Sequence, residues 1–380
     1  MEAWFWVLLF IAFYAYFGYG LLLALWVKWV PKRIVPIQQE KPEVTLLIAA
    51  YNEIAYMPEK IENCRAQTYP NLKIVFVTDG STDGSAEWLS RQDGIQVYHQ
   101  PERRGKMAAI NRVMREIQSP YTVFTDANTW LNPEAIERLV AHFADPTVGV
   151  VAGEKRIRQE SQATAEVGEG LYWKYESTLK TWDAQVYSAC GAAGELYAIR
   201  TALFEELESD TLLDDFVLSL KIVMRGFRIA YEPQAYAAES ASLNSQEELK
   251  RKIRICAGGF QSMVRLHPLL WKYGKFSFQY VSHRILRWTI VPFSLPFLFL
   301  LNVLLVDQHQ HPIYIFLLFG QTFFYLLALL GWWAEKRGKK SKILSIPYYL
   351  VMMNYAAWAG FFRYQKGKQS VVWEKAQRAG

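Results

Sequence analysis

Apolar residues along this chain fall into two kinds of run. Four are long and uncharged: 3–27 holds 25 residues, 288–306 holds 19, 312–334 holds 23 and 343–362 holds 20. Each reaches the ~20 residues that cross a hydrocarbon core. The others are short, lie after the first long run, and are bounded by turn residues: 44–50, 73–78, 95–98, 121–125 and 148–152. Runs of that length, rich in β-branched residues, predict buried parallel strands. Helix-like stretches at 53–67, 85–92, 105–118 and 132–143 alternate with them. This alternation predicts an α/β fold, a doubly wound, mostly parallel sheet with right-handed crossovers.

From residue 153 the pattern changes. Charged, aromatic-rich helix is expected over 166–182, a strand over 195–199, a helix over 212–225 and a strand over 227–231. Residues 244–265 open with Ser245 as the expected N-cap and Glu248 three positions on, a capping-box spacing. There Lys and Arg alternate with Ile253, Ile255 and Phe260, as in a helix lying between protein and membrane surface. The expected layout is an N-terminal transmembrane anchor (1–30), a proline-stiffened linker (31–43) and a soluble domain (44–243). Amphipathic interface helices (244–287), a C-terminal transmembrane region (288–362) and a basic tail (363–380) follow.

Charge refines this layout. The first apolar segment begins with Glu2 instead of a basic stretch and exceeds the about 7–15 apolar residues of a cleaved signal, so it reads as an anchor. Lys28, Lys32 and Arg33 follow it, and 335–342 is a second basic run, which together put the soluble domain on the cytoplasmic side of the inner membrane. Residues 335–380 carry ten Lys or Arg against two acids, whereas the whole chain is only +6. The basicity therefore belongs to the membrane flank and implies contact with anionic lipid, not nucleic acid. Cys64, Cys190 and Cys256 have no metal-ligand spacing and fit a reducing compartment. One conflict remains. Three crossings after residue 288 would put Arg363, Lys366 and Lys368 outside, so one segment is expected not to cross fully. Pro292 with Pro296, and Pro347 with Asn354, mark the second and fourth segments as candidates, and a cytoplasmic tail is expected.

Candidate chemistry gathers at strand ends. The run 121–125 leads into Asp126 and, after one spacer, Asn128; a carboxylate at the C-terminal end of a parallel strand is where open α/β sheets build ligand sites. Tyr51 and Glu53 follow the first strand, and Asp79 opens the Asp-Gly-Ser-Thr-Asp-Gly run after the second. Asp79 could accept from a base N–H and Glu53 could hold ribose hydroxyls, although Asp, Gly and Ser also make ordinary turns. Lys106 stands at a glycine-opened helix start and could neutralise a diphosphate; a solvated basic loop is the plainer alternative. Asp214 and Asp215 either favour a helix dipole or supply a general base. Arg251 and Arg254 are either membrane-surface charge or a clamp for a diphosphate.

In this order the clusters resemble the family 2 glycosyltransferases, inverting enzymes with a GT-A fold that include cellulose, hyaluronan and poly-N-acetylglucosamine synthases. The resemblance covers about residues 44–290 and the membrane layout. It implies a nucleotide-sugar site of Tyr51, Glu53, Asp79, Lys106, Asp126 and Arg254, with Asp79 at the base. Asp126 and Asn128 occupy the place of the Asp-X-Asp motif that binds a divalent metal, Mg or Mn, with an amide where the second acid is expected. Cys190-Gly191-Ala-Ala-Gly-Glu195 resembles the loop that meets the acceptor. Leu213-Asp214-Asp215 matches Thr-Glu-Asp, making Asp215 the base and Asp214 the stand-in for glutamate. Arg251 to Ile255 falls at Gln-X-X-Arg-Trp, keeping Arg254 and replacing the tryptophan by Ile255.

The implied activity is transfer of a sugar, UDP-linked by resemblance, to a growing polysaccharide or glycolipid. Single transfer to a polyprenyl phosphate and a catalytically silent nucleotide-sugar sensor are the alternatives. Implied partners are the donor, a glycan or lipid-linked acceptor and membrane lipids, with room for a partner protein that exports the product.

Overall fold

The computed structural model describes residues 1–33, 40–157, 165–240, 244–309, 311–339 and 341–367. The middle of the proline linker and the tail from residue 368 lie outside the described residues.

One long N-terminal helix, α1 (Glu2–Trp26), precedes the sheet. The soluble part alternates β1 (Val44–Ala50), α2 (Met57–Arg65), β2 (Leu72–Asp79), α3 (Ser85–Leu89), β3 (Ile95–Gln100), α4 (Lys106–Met114) and β4 (Tyr121–Asp126). After it come β5 (Trp130–Leu131), α5 (Ala135–Ala141), β6 (Val148–Ile157), α6 (Ala165–Val186), β7 (Leu196–Arg200), α7 (Asp214–Met224) and β8 (Arg228–Glu239). The eight strands form one sheet in the order β3-β2-β1-β4-β7-β6-β8-β5. Four pairings are parallel, β1 with β2 and β4, β2 with β3, and β6 with β8; β7 runs antiparallel between β4 and β6. The fold is thus the α/β, mostly parallel sheet expected from the alternation, with β7 and the short edge strand β5 turned round.

β1 is buried along its whole length, because helices cover both faces of the sheet. One face packs Val75, Ile110, Phe124 and Tyr197 against α4 and α7, the other packs Ile48, Phe76 and Val123 against α2 and α5. Parallel registers align Ala50 with Thr78 and Ala49 with Asp126, so the polar residues after β1, β2 and β4 emerge at one edge.

The C-terminal part consists of α8 (Ser245–Arg265), α9 (Lys275–Tyr280), a π-helical turn at Val281–Ile285, and then α10 (Ile290–His309), α11 (Pro312–Lys336) and α12 (Lys342–Gln365). The N-cap of α8 is Asn244, not Ser245. The Asn244 side chain accepts from the amides of Gln246 and Glu247, both at 3.0 Å, while the Ser245 hydroxyl is recruited by the Glu335 carboxylate of α11. A tertiary contact thus takes the residue that local sequence marks as the cap.

Among the described residues, three helices are long and apolar enough to cross a membrane: α1, α10 and α11. They leave Trp4, Phe10, Phe316 and Phe319 exposed around the bundle. The fourth long apolar run, α12, is not among them. Pro347, three tyrosines and Asn354 dilute its hydropathy, and the helix packs into the protein instead. Ala356 and Ala357 are buried against Ile253 and Cys256 of α8. Asn354 accepts from Tyr16 Oη at 2.9 Å, and Trp358 donates to the Pro292 carbonyl at 2.9 Å.

Candidate functional site

Two loops open one end of the sheet edge. Asn52 adopts the left-handed conformation (φ 52°), and its side chain accepts from the Thr82 amide at 2.8 Å. The Ile54 amide donates to Asp83 at 2.9 Å, so the turns after β1 and β2 form one unit. Glu53 is buried within it. Asp79 accepts from the amides of Arg104 and Gly105, the latter at 2.6 Å. Its carboxylate thereby orders the loop that starts α4. The Arg103 guanidinium stacks 3.7 Å over the Tyr51 ring, and Tyr51, Asp79, Gly105 and Lys106 line one cavity together with Ala49 and Ala109.

Lys106 reaches from this cavity to a second group of acids. Its Nζ lies 3.2 Å from Asp126 Oδ1 and 3.3 Å from Asp214 Oδ2. Burial works against its charge, but Asp126, Asp214 and Asp215 outweigh it and raise the ammonium above its ordinary range. Asp215 is only partly exposed. Burial first and the neighbouring Asp214 carboxylate second push it up to about 7, although Lys106 pulls the other way. The adjacent acid and the burial thus leave Asp215 poised near neutrality.

Position in this group is fixed from below. Lys60 of α2, nearly fully buried, donates to the Thr129 carbonyl at 2.7 Å and holds the turn that carries Asp126 and the buried Asn128. Thr125 donates to the Glu195 carbonyl at 2.8 Å, joining the β4 end to the 190–195 loop. The start of α7 is clamped by α8. Gln261 accepts from the Leu212 amide at 3.0 Å and donates to the Asp210 carbonyl at 2.8 Å. A side chain at Gly258 would meet Leu213 Cγ at 2.5 Å, so only glycine lets α8 approach the residue that precedes the acid pair.

The 190–195 loop is split in role. Gly194 faces the acids: a Cβ there would lie 3.5 Å from Asp215 Oδ2. Gly191 (φ 102°) abuts the Phe216 ring, where a Cβ would come within 2.3 Å. The Glu195 carboxylate accepts from Lys155 at 2.7 Å; burial opposes its charge, but Lys155 prevails and holds it well below the usual carboxylate range. Cys190 points elsewhere. Its thiol is buried beside Asp183 and His283, and burial followed by the Asp183 charge pushes it well up.

Asp183, Cys190 and His283 bring potential ligand atoms within 4.8 Å of one another. Their hydrogen bonds already account for the cluster. His283 lies 2.5 Å from Asp183 and 3.2 Å from Glu176, and Tyr19 and Gln279 donate to Asp183. A protonated thiol and a saturated carboxylate are poor metal ligands, so this cluster ties α1 and α6 to the junction before α10.

Arg254 stays half-buried on α8, and Arg251 pairs with Glu248 at 3.0 Å. Sequence reasoning passed over Lys60, Lys155 and Lys180. The last had a readable signal: Trp173, Glu176, Lys180 and Asp183 recur at three- and four-residue intervals, a polar and aromatic stripe on one face of α6.

Comparison with known proteins follows the same outline. Residues 45–207 match the family model "Glycosyl transferase family 2". A poly-beta-1,6-N-acetyl-D-glucosamine synthase of Staphylococcus aureus (strain COL) is 28% identical over 235 residues, covering 58% of this chain and 56% of that protein. Glycosyltransferase GlyA of Streptococcus pneumoniae is 27% identical over 204 residues, covering 50% of this chain and 29% of that protein. The match thus spans about half the length of the synthase, or less for the second relative. Among solved structures, the mannosyltransferase PcManGT from Pyrobaculum calidifontis, in complex with GDP-Man and Mn2+, superposes with a TM-score of 0.76. It is 23% identical, and the superposition covers 97% of this chain and 99% of that one, a likeness of fold. The strand-and-loop frame that carries Asp79, Lys106 and Asp126 lies within the matched residues, so 45–207 is a glycosyl transferase family 2 domain.

Proposed function

We propose that the chain is a membrane-bound, inverting enzyme that moves a sugar from a nucleotide sugar, UDP-linked in the main reading, to a growing polysaccharide or glycolipid acceptor. The observation that carries this reading is the Lys106 ammonium held between Asp126 at the end of β4 and Asp214 at the start of α7. One spot gathers hard oxygen donors, a cation and a carboxylate of near-neutral basicity, the parts needed for displacing a diphosphate.

Asp126 and Asn128 would hold a divalent metal, Mg or Mn, which supplies positive charge for the departing diphosphate. The residues suit a cation, since the spot already accommodates one in Lys106. Asn128 offers an oxygen without a charge, which weakens the site relative to two acids. In the transfer, the acceptor oxygen forms a bond to the anomeric carbon as the bond to the diphosphate breaks. Asp215 takes the acceptor's proton. Lys106 and Arg254 meet the charge that grows on the leaving group, and Asp214 keeps Asp215 basic. Tyr51, Glu53 and Asp79 flank the nucleotide, while Gly191 and Glu195 shape the acceptor side.

The membrane layout has α1, α10 and α11 crossing, and α12 staying with α8 at the cytoplasmic surface. Lys336, Arg337, Lys339, Lys342 and Lys366 then lie on the side of the catalytic domain, in accord with the positive-inside rule. A UDP-linked donor rests on the family resemblance of the motifs. The mannosyltransferase, in complex with GDP-Man, makes a GDP-linked one the alternative to test. Membranes containing the full chain would be incubated with labelled UDP-N-acetylglucosamine, UDP-glucose and GDP-mannose, and the products separated as polymer, glycolipid or free sugar. The expected outcome is label transferred from one nucleotide class. No transfer from any of them, with Asp215 intact and the protein folded, would sink the reading.

A further inference from the structure

Arg103 covers one wall of the cavity at the ends of β1 and β2. The central carbon of its guanidinium lies 3.7 Å from the centroid of the Tyr51 ring, and both residues line the cavity with Asp79, Gly105 and Lys106. That gap is a single van der Waals contact. A flat ring placed between the two groups would need about 7 Å, twice such a separation. The Tyr51 face, where a nucleobase would stack, is therefore already covered by a planar cation of the chain itself.

The backbone beneath Arg103 is fixed, so uncovering the ring is a side-chain movement. Asp79 accepts from the amides of Arg104 and Gly105 at 3.0 and 2.6 Å. Gly80 (φ 65°) seats the loop on the end of β2: a side chain there would meet Arg103 Cβ at 2.7 Å and its Cα and N at 3.0 Å. The loop cannot lift without breaking the bonds to Asp79. The Arg103 side chain, by contrast, is exposed at the cavity mouth, and a cation–π contact at such a place is weak enough for a ligand to displace.

Charge decides where the displaced guanidinium goes. A base alone exchanges one stacked contact on Tyr51 for another and leaves Arg103 nothing to bind. A diphosphate brings negative charge to the start of α4, where Lys106 stands three residues along from Arg103, and guanidinium matches phosphate oxygens bidentately. We infer that Arg103 is a stopper for the base slot that the donor's diphosphate draws off: in the empty protein it stacks on Tyr51, and in the loaded protein the base takes the ring while Arg103 moves to the phosphates. The inference rests on the nucleotide-sugar reading above and adds a selection step to it. A nucleoside without phosphate meets a closed slot; a nucleoside diphosphate opens it.

The test uses the full chain in detergent with Mn2+, and compares the parent with Arg103→Ala and Arg103→Lys. Uridine and guanosine are followed by saturation-transfer NMR, UDP and GDP by calorimetry. For the base that the protein accepts, Arg103→Ala is expected to bind the nucleoside about two- to fivefold tighter, the effect of a cation–π contact that no longer competes. It is expected to bind the diphosphate about tenfold or more weaker, the loss of one charge-assisted contact. Arg103→Lys keeps the charge without the planar stack, so it should hold the diphosphate more tightly than Arg103→Ala does. Opposite movement of nucleoside and diphosphate is the signature, since damage to the fold would weaken both. Nucleoside binding that is unchanged, weakened or absent in Arg103→Ala would overturn the stopper, and an unchanged diphosphate affinity would overturn the move to the phosphates. If the parent transfers label and these variants bind as the parent does, this inference fails while the transferase reading stands. If the parent neither binds UDP or GDP nor uses any nucleotide sugar, the transferase reading itself fails.

Discussion

Replacing Asp215 by asparagine separates its chemical role from its structural cost. Burial and the Asp214 charge raise Asp215 from 3.8 to about 7, which corresponds to about 4 kcal/mol at most favouring its protonated form. Partial exposure to solvent brings the realised figure to about 2–4 kcal/mol. The sign follows from the direction of the shift. A carboxyl that binds its proton more tightly when folded adds stability below its unfolded value near 4, and that contribution is lost as pH rises through about 7. Asp215→Asn removes the penalty of a buried charge, so its advantage in thermal unfolding over the parent should grow from pH 5 to pH 8. Transfer should move oppositely. Loss of a general base costs about 10²–10⁴ in rate, and the parent kcat/KM should rise through an acidic limb near pH 7 that the variant lacks. Labelled-sugar transfer and melting curves at matched pH values measure both. A variant that is folded, nucleotide-binding and as fast as the parent would refute the assignment of Asp215 as base. One with no pH-dependent gain in stability would refute the reading of its environment.

Further outcomes follow from other contacts. Asn128→Asp adds a charge beside Asp126, so Mn2+ binding to the donor-free protein, followed by spin resonance, should tighten about tenfold or more; an unchanged affinity would move the metal elsewhere. Gly191→Ala combines positive φ with a Phe216 contact at 2.3 Å, and should lower stability by about 1–3 kcal/mol, read as a shifted denaturation midpoint. A cysteine placed at Lys366 should resist a membrane-impermeant thiol reagent in intact cells and react after permeabilisation, because α12 stays with α8; labelling from outside would make α12 a fourth span. Glu195→Gln leaves Lys155 with Glu239 alone, so acceptor-dependent transfer should fall more than acceptor-independent nucleotide binding, a split visible by comparing rates with and without acceptor.

Much of this protein is written locally. The strands 44–50, 73–78 and 121–125 are apolar runs whose burial is dictated by their own composition, and the structure places strands there because no other arrangement hides them on both faces. Asp79 and Asp126 close their strands, so a parallel sheet brings them to one edge without long-range information. Among the described residues, the three helices long and apolar enough to cross a membrane are set in the same way by length and hydropathy.

What local sequence leaves open is every relation that needs a partner far along the chain. Lys106 and Asp214 meet only when α4 and α7 pack on the same sheet face, and Asp215 acquires its basicity from that burial first and from the adjacent Asp214 second. Asn244 displaces Ser245 as a cap because α11 supplies Glu335. Residues 343–362 have the length of a span, yet α12 lies against α8, because Asn354 and Trp358 find partners on other helices. Lys180 shows in its own segment only as part of a polar and aromatic stripe; its neighbours come from α6, β8 and the junction before α10. Composition determines which segments are buried, since burial depends on each residue's own transfer free energy. Only the assembled fold decides the charges' partners, because Coulomb energy depends on distance and dielectric, neither of which exists before the chain has closed around them.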